Sequence, residues 1–406
     1  FFFFVLFFFF SSSRRHTSSV RDWSSDVCSS DLGHDVVLLE RGEIASEASG
    51  VNAGNIGALG WGNVPNLQTH LTMGSLEMFK SLQLDQGFDI EFRNSACIQT
   101  IHTEQQYDFI RDRVLSLRSQ GYSVELLTNR EMRSIEPEAS PRLLGCMYTP
   151  LRAQADPRKA TTAFATAAAQ QGARILTHHE VTGITALGDG TYRVAVAGED
   201  FHAENVVLAT GAWCGPLGAM LGIRIPIIPV RGQMWATPVL PPRVFHTLSS
   251  SESALQWNTE PGNDSEMPPD LTHHGSVRTT RHLYGRQTQA GEVTFGGDRQ
   301  RSGYAWNRDA EGLEVSRGHA TELMPFLKDV PISRTWAGTM PFSLDGSPII
   351  GKIPQRENLY IVSGMASSGF GRGPMAGKLL ADYIHTGHRA QVLAESDPAR
   401  CVTEDD

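Results

Sequence analysis

A carboxylate carried by a buried strand into a glycine-rich loop is the clearest chemical device in this chain. Val36-Val37-Leu38-Leu39 reads as an apolar strand that ends in Glu40. A loop of small residues follows, with glycines at 50, 54, 57, 60 and 62. A carboxylate in that position can accept hydrogen bonds from the paired hydroxyls of a ribose. Two further stretches carry small residues at the ends of apolar strands. Phe201–Leu208 runs into Ala209-Thr210-Gly211-Ala212-Trp213, so a backbone can come close to something bound at a sheet edge. Near the end, Leu359–Val362 is followed by the loop 364–373 and a helix of about Pro374–His385, closed by Gly387. A glycine-lined helix start presents free N–H groups and partial positive charge to an anionic atom. The bland alternatives are a plain strand-to-loop turn at 209–213 and close helix–strand packing at 364–373.

The first device lacks its usual front half. A dinucleotide fold places a glycine turn about 20 residues before the acidic ribose ligand. Counting back from Glu40 lands among Ser18, Ser19 and Val20, and the first glycine of the chain is Gly33. Residues 1–32, FFFFVLFFFFSSSRRHTSSVRDWSSDVCSSDL, begin with an apolar decamer and continue through Ser, Arg and Asp without a period of 2 or 3.6. No basic segment precedes the decamer and no small-residue cleavage site follows it, against a signal peptide. The stretch reads as non-native, disordered sequence overwriting a first strand, a glycine turn and a helix.

Composition sets the outer bounds. A chain of 406 residues can bury a large core, and two domains are the natural expectation. A net charge of −9 argues against a general nucleic-acid binder, which needs a basic face. The five cysteines are scattered without a C-x-x-C pair, which fits a reducing, cytoplasmic setting and neither a disulfide framework nor a zinc site. No run reaches the roughly 18 apolar residues of a membrane helix.

The elements that must position these residues are legible in part. Helices are expected over Leu67–Gln86, Glu104–Gln120, Asn129–Ile135 and Glu311–Leu327. Asp156-Pro157 is an N-cap followed by Pro at the first helical position, so the Ala-rich run Arg158–Gln171 reads as a helix stopping at Gly172. Strands are expected over Phe88–Ile101, Ala173–Thr177, Glu180–Leu187, Tyr192–Val196, Ile223–Trp235, Arg281–Tyr284 and Glu292–Phe295. Residues 236–275 are rich in Pro, Ser and Asn and read as irregular, and His273 and His274 as solvated loop histidines.

From Gly33 to about Arg389 the chain resembles the D-amino-acid oxidase/glycine oxidase family of FAD-dependent oxidoreductases. The matching stretches occur in the family's order. They are VVLLERGEIASEASGVNAGNIG, the D-P-R helix with its G-A-R-I strand, ENVVLATGAW, PVRGQ, and W-A-G-x-x-P…D-G-x-P-I-I-G with the G-x4-G-x4-P-x2-G loop and helix. The resemblance implies an α/β fold. A Rossmann-like FAD domain, incomplete at its start, would occupy 33–85, 150–235 and 331–390. An α+β substrate domain built on an antiparallel sheet would occupy 86–149 and 236–330, with a tail at 391–406.

The resemblance also implies roles. FAD would be held non-covalently. Glu40 would bind the adenosine ribose, with Arg41, Ser46 and Ser49 near the adenine and pyrophosphate. Asn52, Ala53 and Gly54 would pass beside the flavin ring, and Val181 would meet the adenine by its backbone. Thr210 and Gly211 would line the cofactor, and Gly369, Phe370 and Gly371 would face the flavin pyrimidine. The implied chemistry is hydride removal from a carbon beside an amine nitrogen to flavin N5, followed by imine hydrolysis. The electron acceptor would be oxygen or a quinone. The chain departs from the family at W-A-G-x-R-P, where the arginine that would fork onto a substrate carboxylate is Met340. Arg286, Tyr284 or Arg372 are the alternative carboxylate ligands; otherwise the substrate is an amine without that carboxylate. Two other readings stay open: a fragment unable to hold FAD, and an NAD(P)-dependent dehydrogenase.

Overall fold

The computed structural model describes residues 5–10, 32–59, 65–252, 254–255, 272–274, 277–278 and 282–405. Gly60 and Gly62 of the first loop, Cys28 and Arg281 lie outside the described residues.

A six-stranded sheet lies beneath the first device. Its order is Ile349–Lys352, Leu359–Ser363, Asn205–Ala209, Val5–Phe10, Asp35–Leu39, Arg174–Leu176. Asp35–Leu39 runs parallel to Arg174–Leu176, and Asn205–Ala209 parallel to Leu359–Ser363. Alternate side chains point to opposite faces, and both faces are covered. Val37, Leu39, Val206 and Leu208 enter one apolar cluster with Val194, Val196 and Phe201 of the three-stranded sheet Val181–Ala186, Tyr192–Val196, Glu199–Ala203. Val36, Val207 and Ala209 enter another, with Leu67 and Leu71 of the helix Pro65–Leu84 and Ala376, Leu379 and Leu380 of the helix Gly373–Thr386. Burial on both faces explains why Val36–Leu39 is a continuous apolar run, each side chain contributing about 1.5–3 kcal/mol.

The opening decamer departs from its expected place outside the fold. Val5–Phe10 is a strand between Asp35–Leu39 and Asn205–Ala209, antiparallel to both. Phe8 pairs with Val37 on one side and Val206 on the other. A run of six β-prone apolar residues can satisfy a central ladder in either direction, because it carries no register signal of its own. Direction nevertheless matters here. Val5 pairs with Ala209 and Phe10 with Asp35. The strand therefore leaves the sheet at the edge opposite Glu40 and Thr210.

A second sheet has eight strands in the order Arg334–Ser343, Ile227–Val239, Glu292–Gly296, Tyr284–Gln287, Thr247–Ser250, Cys97–Ile101, Gly145–Thr149, Glu125–Thr128. It is antiparallel except for the pair Thr247–Ser250 and Cys97–Ile101, which is parallel. Its core gathers Ile98, Trp235, Leu248, Val293 and Phe295 beneath Ala320 and Leu323 of the helix Ala310–Leu323. Ile227–Val239 runs unbroken through residue 235 and pairs with Arg334–Ser343 from Ile227 to Ala236.

Several elements differ from the sequence expectation. Thr247–Ser250 is a strand inside the stretch expected to be irregular. The strand expected at Arg281–Tyr284 is Tyr284–Gln287. The helix expected over Glu311–Leu327 ends at Leu323, because Pro325 disfavours helical backbone at Met324 (φ −122°, ψ 85°). Pro157–Gln170 starts where the N-cap predicts, with the Asp156 carboxylate accepting from the Lys159 N–H at 2.8 Å. His273 and His274 form a two-residue strand paired with Val277 and Arg278. No helix among the described residues is long and apolar enough to cross a membrane.

Candidate functional site

The carboxyl ends of the parallel strands share one edge, so Glu40, Thr210 and Gly364 lie on the same side of the sheet. Glu40 is buried and accepts from the Gly42 N–H at 2.7 Å. It forms no ion pair with the described residues, and burial pushes its carboxyl up to about 7. Arg41 is committed elsewhere. Its guanidinium pairs with buried Glu47 at 2.6 Å and lies 4.4 Å from the Trp213 ring centre. Ser46 sits in the turn, its N–H donating to the Glu43 carbonyl at 3.1 Å. The buried Ser49 carbonyl accepts from Thr161 and from the Asn52 amide.

Asn52 shapes the loop that follows. Its amide N–H groups donate to the Ala48 and Ser49 carbonyls, and its side-chain oxygen accepts from the Gly54 N–H at 2.7 Å. Gly54 has φ +72°, and a Cβ there would stand 2.0 Å from the Ala155 carbonyl oxygen. Only glycine fits. Buried Arg286 holds this loop from below, donating to the Ala53 carbonyl at 2.6 Å and to the Gln154 side chain at 2.8 Å. Arg286 therefore supports backbone and does not line the cavity described next.

Asn52, Ala53, Tyr284, Phe370, Gly371 and Arg372 converge on one cavity of about 150 Å³. Phe370 packs on Phe79, ring centres 4.8 Å apart. Gly371 lets the helix start approach the strand Asn55–Ile56; a Cβ on it would be 3.2 Å from the Asn55 carbonyl oxygen. Arg372 is buried. It donates to Thr72 Oγ1 at 3.1 Å and to Gln68 Oε1 at 2.7 Å, and its Nη2 has no hydrogen-bond partner among the described residues. Burial, with Arg152 adding repulsion, pushes its guanidinium down to about 9. Burial also pushes the Tyr284 phenol up to about 12, so it remains a donor. His282 lines the cavity as well, its Nε2 2.7 Å from the Arg299 guanidinium. Arginine has no acceptor, so Nε2 is the unprotonated nitrogen. Burial and Arg299 hold His282 well below its usual range, hence neutral.

The remaining sequence candidates lie off the cavity. Met340 is buried with Val230 and Phe342 in a small apolar cluster, its methyl 2.9 Å from where a Gly232 Cβ would be. Val181 packs at the margin of the cluster beneath the six-stranded sheet. Thr210 donates to Cys214 Sγ at 3.4 Å, and the Gly211 carbonyl accepts from Ser363 at 3.0 Å. Gly369 begins the turn into the helix, its carbonyl accepting from the Gly373 N–H at 2.7 Å. Sequence reasoning missed Arg152, Gln68, Thr72 and Ser249, all on the cavity wall. None belongs to a motif, and the one signal available was that Arg152 has no acid among its sequence neighbours 149–155.

The residues fit FAD in two of its three parts. A buried carboxylate at Glu40 with no ion pair among the described residues suits ribose hydroxyl donors, and the cavity wall of Asn52, Ala53, Phe370 and Gly371 offers backbone and an aromatic side chain to a flat ring. The pyrophosphate is different. Its glycine turn belongs at the carboxyl edge, after a strand parallel to Asp35–Leu39. Val5–Phe10 fills that slot in the opposite sense. Among the described residues, no turn from this strand reaches that edge.

Comparison with known proteins places this geometry. A family model described as FAD dependent oxidoreductase (DAO) matches residues 28–383. The glycine oxidase of Geobacillus kaustophilus (strain HTA426) is 28% identical over 368 residues, covering 89% of each chain. The D-amino acid dehydrogenase of Granulibacter bethesdensis is 24% identical over 313 residues, covering 76% of this chain and 68% of that one. The crystal structure of glycine oxidase from Geobacillus kaustophilus superposes with a TM-score of 0.78 at 25% identity, covering 91% of this chain and 93% of that one.

Proposed function

The chain belongs to the DAO family of FAD-dependent oxidoreductases, and on that premise we propose that it oxidises an amino acid at the carbon bearing nitrogen, with the substrate carboxylate docked on Arg372. The observation that carries the proposal is the Arg372 Nη2, buried at the cavity wall with no partner among the described residues. A cation left so is costly unless a ligand completes its hydrogen bonds. Gln68 and Thr72 fix the guanidinium by its other nitrogens. Tyr284 adds an O–H donor on the same cavity.

Bound FAD supplies the two-electron acceptor for a hydride. The chain's own residues bind, orient and set protonation. Hydride loss needs a neutral amine, whose lone pair forms the new C=N bond as the C–H bond breaks. Arg152, Arg299 and Arg372 line the cavity, and no Asp or Glu lines it among the described residues. That positive field disfavours an ammonium, so the amine is held neutral without a dedicated base. Neutral His282 adds no charge. The imine then takes up water and releases ammonia or an amine, leaving a carbonyl compound. Arg286 acts indirectly, by fixing the Ala53 carbonyl. Oxygen or a quinone would be the final electron acceptor.

The test is anaerobic mixing of the FAD-loaded chain with a panel of D-amino acids, glycine, N-alkyl amino acids and simple alkylamines. Amino acids are expected to bleach the flavin, and alkylamines to do so far less well. Equal bleaching by alkylamines would remove Arg372 from substrate binding.

A further inference from the structure

Besides Arg372 and Arg299, a third arginine, Arg152, lines the same cavity. Arg152 lies on the wall between the strands Gly145–Thr149 and Ala153–Gln154. Its backbone stands against Gly57, and its guanidinium donates to the thiol of Cys97 at 3.6 Å. It forms no ion pair with a described carboxylate. Among the described residues the Arg372 guanidinium likewise hydrogen-bonds only to the neutral Gln68 and Thr72. The two cations feel each other, since Arg152 helps to lower Arg372. Uncompensated like charges in a low-dielectric wall are unfavourable. The remaining cavity arginine, Arg299, is engaged with His282 and Ser367; of Arg372 and Arg152, one carboxylate neutralises one and leaves the other.

We propose that the cavity takes an amino acid carrying a second carboxylate, with Arg372 holding the carboxylate beside the reacting carbon and Arg152 holding the distal one. This rests on the amine-oxidising reading for which carbon reacts, but the binding claim stands separately. Arg152 is then a specificity-determining residue. Ser249, on the same wall, provides a neutral hydroxyl, and its neighbour Cys97 Sγ lies 3.6 Å from it. No acidic side chain among the described wall residues repels a dianion. A substrate with an apolar side chain would leave Arg152 desolvated and unpaired, which is how a site built around a polar partner rejects an analogue lacking it.

The test is titration calorimetry on the full chain, with and without added FAD, using succinate and butyrate as unreactive probes at matched ionic strength. A charge-assisted hydrogen bond contributes about 1.5–3 kcal/mol, so succinate should bind at least about 10-fold more tightly than butyrate. Arg152→Gln should bring succinate to within about twofold of butyrate while leaving butyrate itself within about twofold of its original affinity. Arg152→Lys keeps the charge and should retain most of the preference, which guards against a Gln variant that fails to fold. Equal affinities in the unaltered chain, or an Arg152→Gln variant that weakens both probes alike, would overturn the proposal. A parallel arm compares flavin reduction by D-aspartate and D-alanine. Selective succinate binding with no reduction by either amino acid, in protein whose flavin absorbance shows that FAD is bound, would uphold the double-anion site and sink the amine-oxidation reading. Reduction by both with the same kcat/KM would do the reverse.

Discussion

Replacing Arg372 with Met separates a ligand-binding arginine from a structural one. Methionine is shorter but keeps an unbranched apolar stem. What goes is a guanidinium whose Nη2 is unpartnered and whose charge is already disfavoured by burial, down to about 9. In the ligand-free chain the loss of two hydrogen bonds, to Gln68 and Thr72, is set against removal of a buried unpaired charge. Each hydrogen bond contributes roughly 0.5–1.5 kcal/mol net, and relief of the buried charge is of similar or larger size. The melting temperature of Arg372→Met should therefore stay within a few degrees of the original, which is about 1 kcal/mol for a chain this size. Substrate binding should respond very differently. Truncating a buried charge that pairs with a carboxylate costs about 2–5 kcal/mol, or roughly 30-fold to several thousand-fold in affinity. Steady-state kinetics with an amino acid and with the amine lacking its carboxylate would divide the effect. The loss should appear chiefly in KM for the amino acid and be absent for the amine. A melting temperature that falls by ten degrees or more, with both substrates losing activity equally, would refute the reasoning and make Arg372 part of the packing.

Other outcomes follow from the same geometry. Gly54→Ala should lower stability by about 1–3 kcal/mol or more in urea unfolding, since it combines a φ of +72° with a Cβ 2.0 Å from the Ala155 oxygen. Arg286→Met should free the Ala53 carbonyl and weaken FAD binding, measured by fluorescence quenching, while the secondary structure by circular dichroism is kept. Glu40 makes the apo chain pH-dependent. Its carboxyl rises from 4.5 unfolded to about 7 folded, so its contribution is present in acid and is lost as pH climbs through 7. Glu40→Gln should abolish up to about 3 kcal/mol of that decline, read from melting curves between pH 5 and 8. Ribose hydroxyls donating to the ionised Glu40 should likewise flatten the profile when FAD is added.

Those parts of the fold that rest on local signals were legible in the sequence. Val36–Leu39 is apolar on both faces because both faces are buried, and the helix at Pro157 announces itself by its cap and proline. The loop at 364–373 and the helix behind it were found through glycines that the structure uses for close approach, as at Gly371. What depends on distant partners was hidden. Thr247–Ser250 looks irregular alone, and becomes a strand by pairing with Cys97–Ile101 on one side and Tyr284–Gln287 on the other. The direction of Val5–Phe10 could not be read, because an all-apolar run reads the same both ways. For the site, the sequence led to Arg372 and Tyr284 through their motif and strand. It also proposed Arg286, which the structure ties to Ala53 and Gln154. Arg152 escaped notice because its importance lies in having no acidic neighbour in space, which sequence spacing does not report.

The central claim is that the cavity beneath Arg372 is an amine-oxidising FAD site whose pyrophosphate turn must come from a strand parallel to Asp35–Leu39. One measurement tests it directly. The chain is prepared with residues 1–32 replaced by a strand, a G-x-G-x-x-G turn and a helix, loaded with FAD, and titrated anaerobically with D-amino acids while the flavin band near about 450 nm is followed. The protein should be yellow, with a band that bleaches with amino acids and not with the corresponding hydroxy acids. A protein that stays colourless, or that holds FAD but is bleached by no amine-bearing compound, would contradict it.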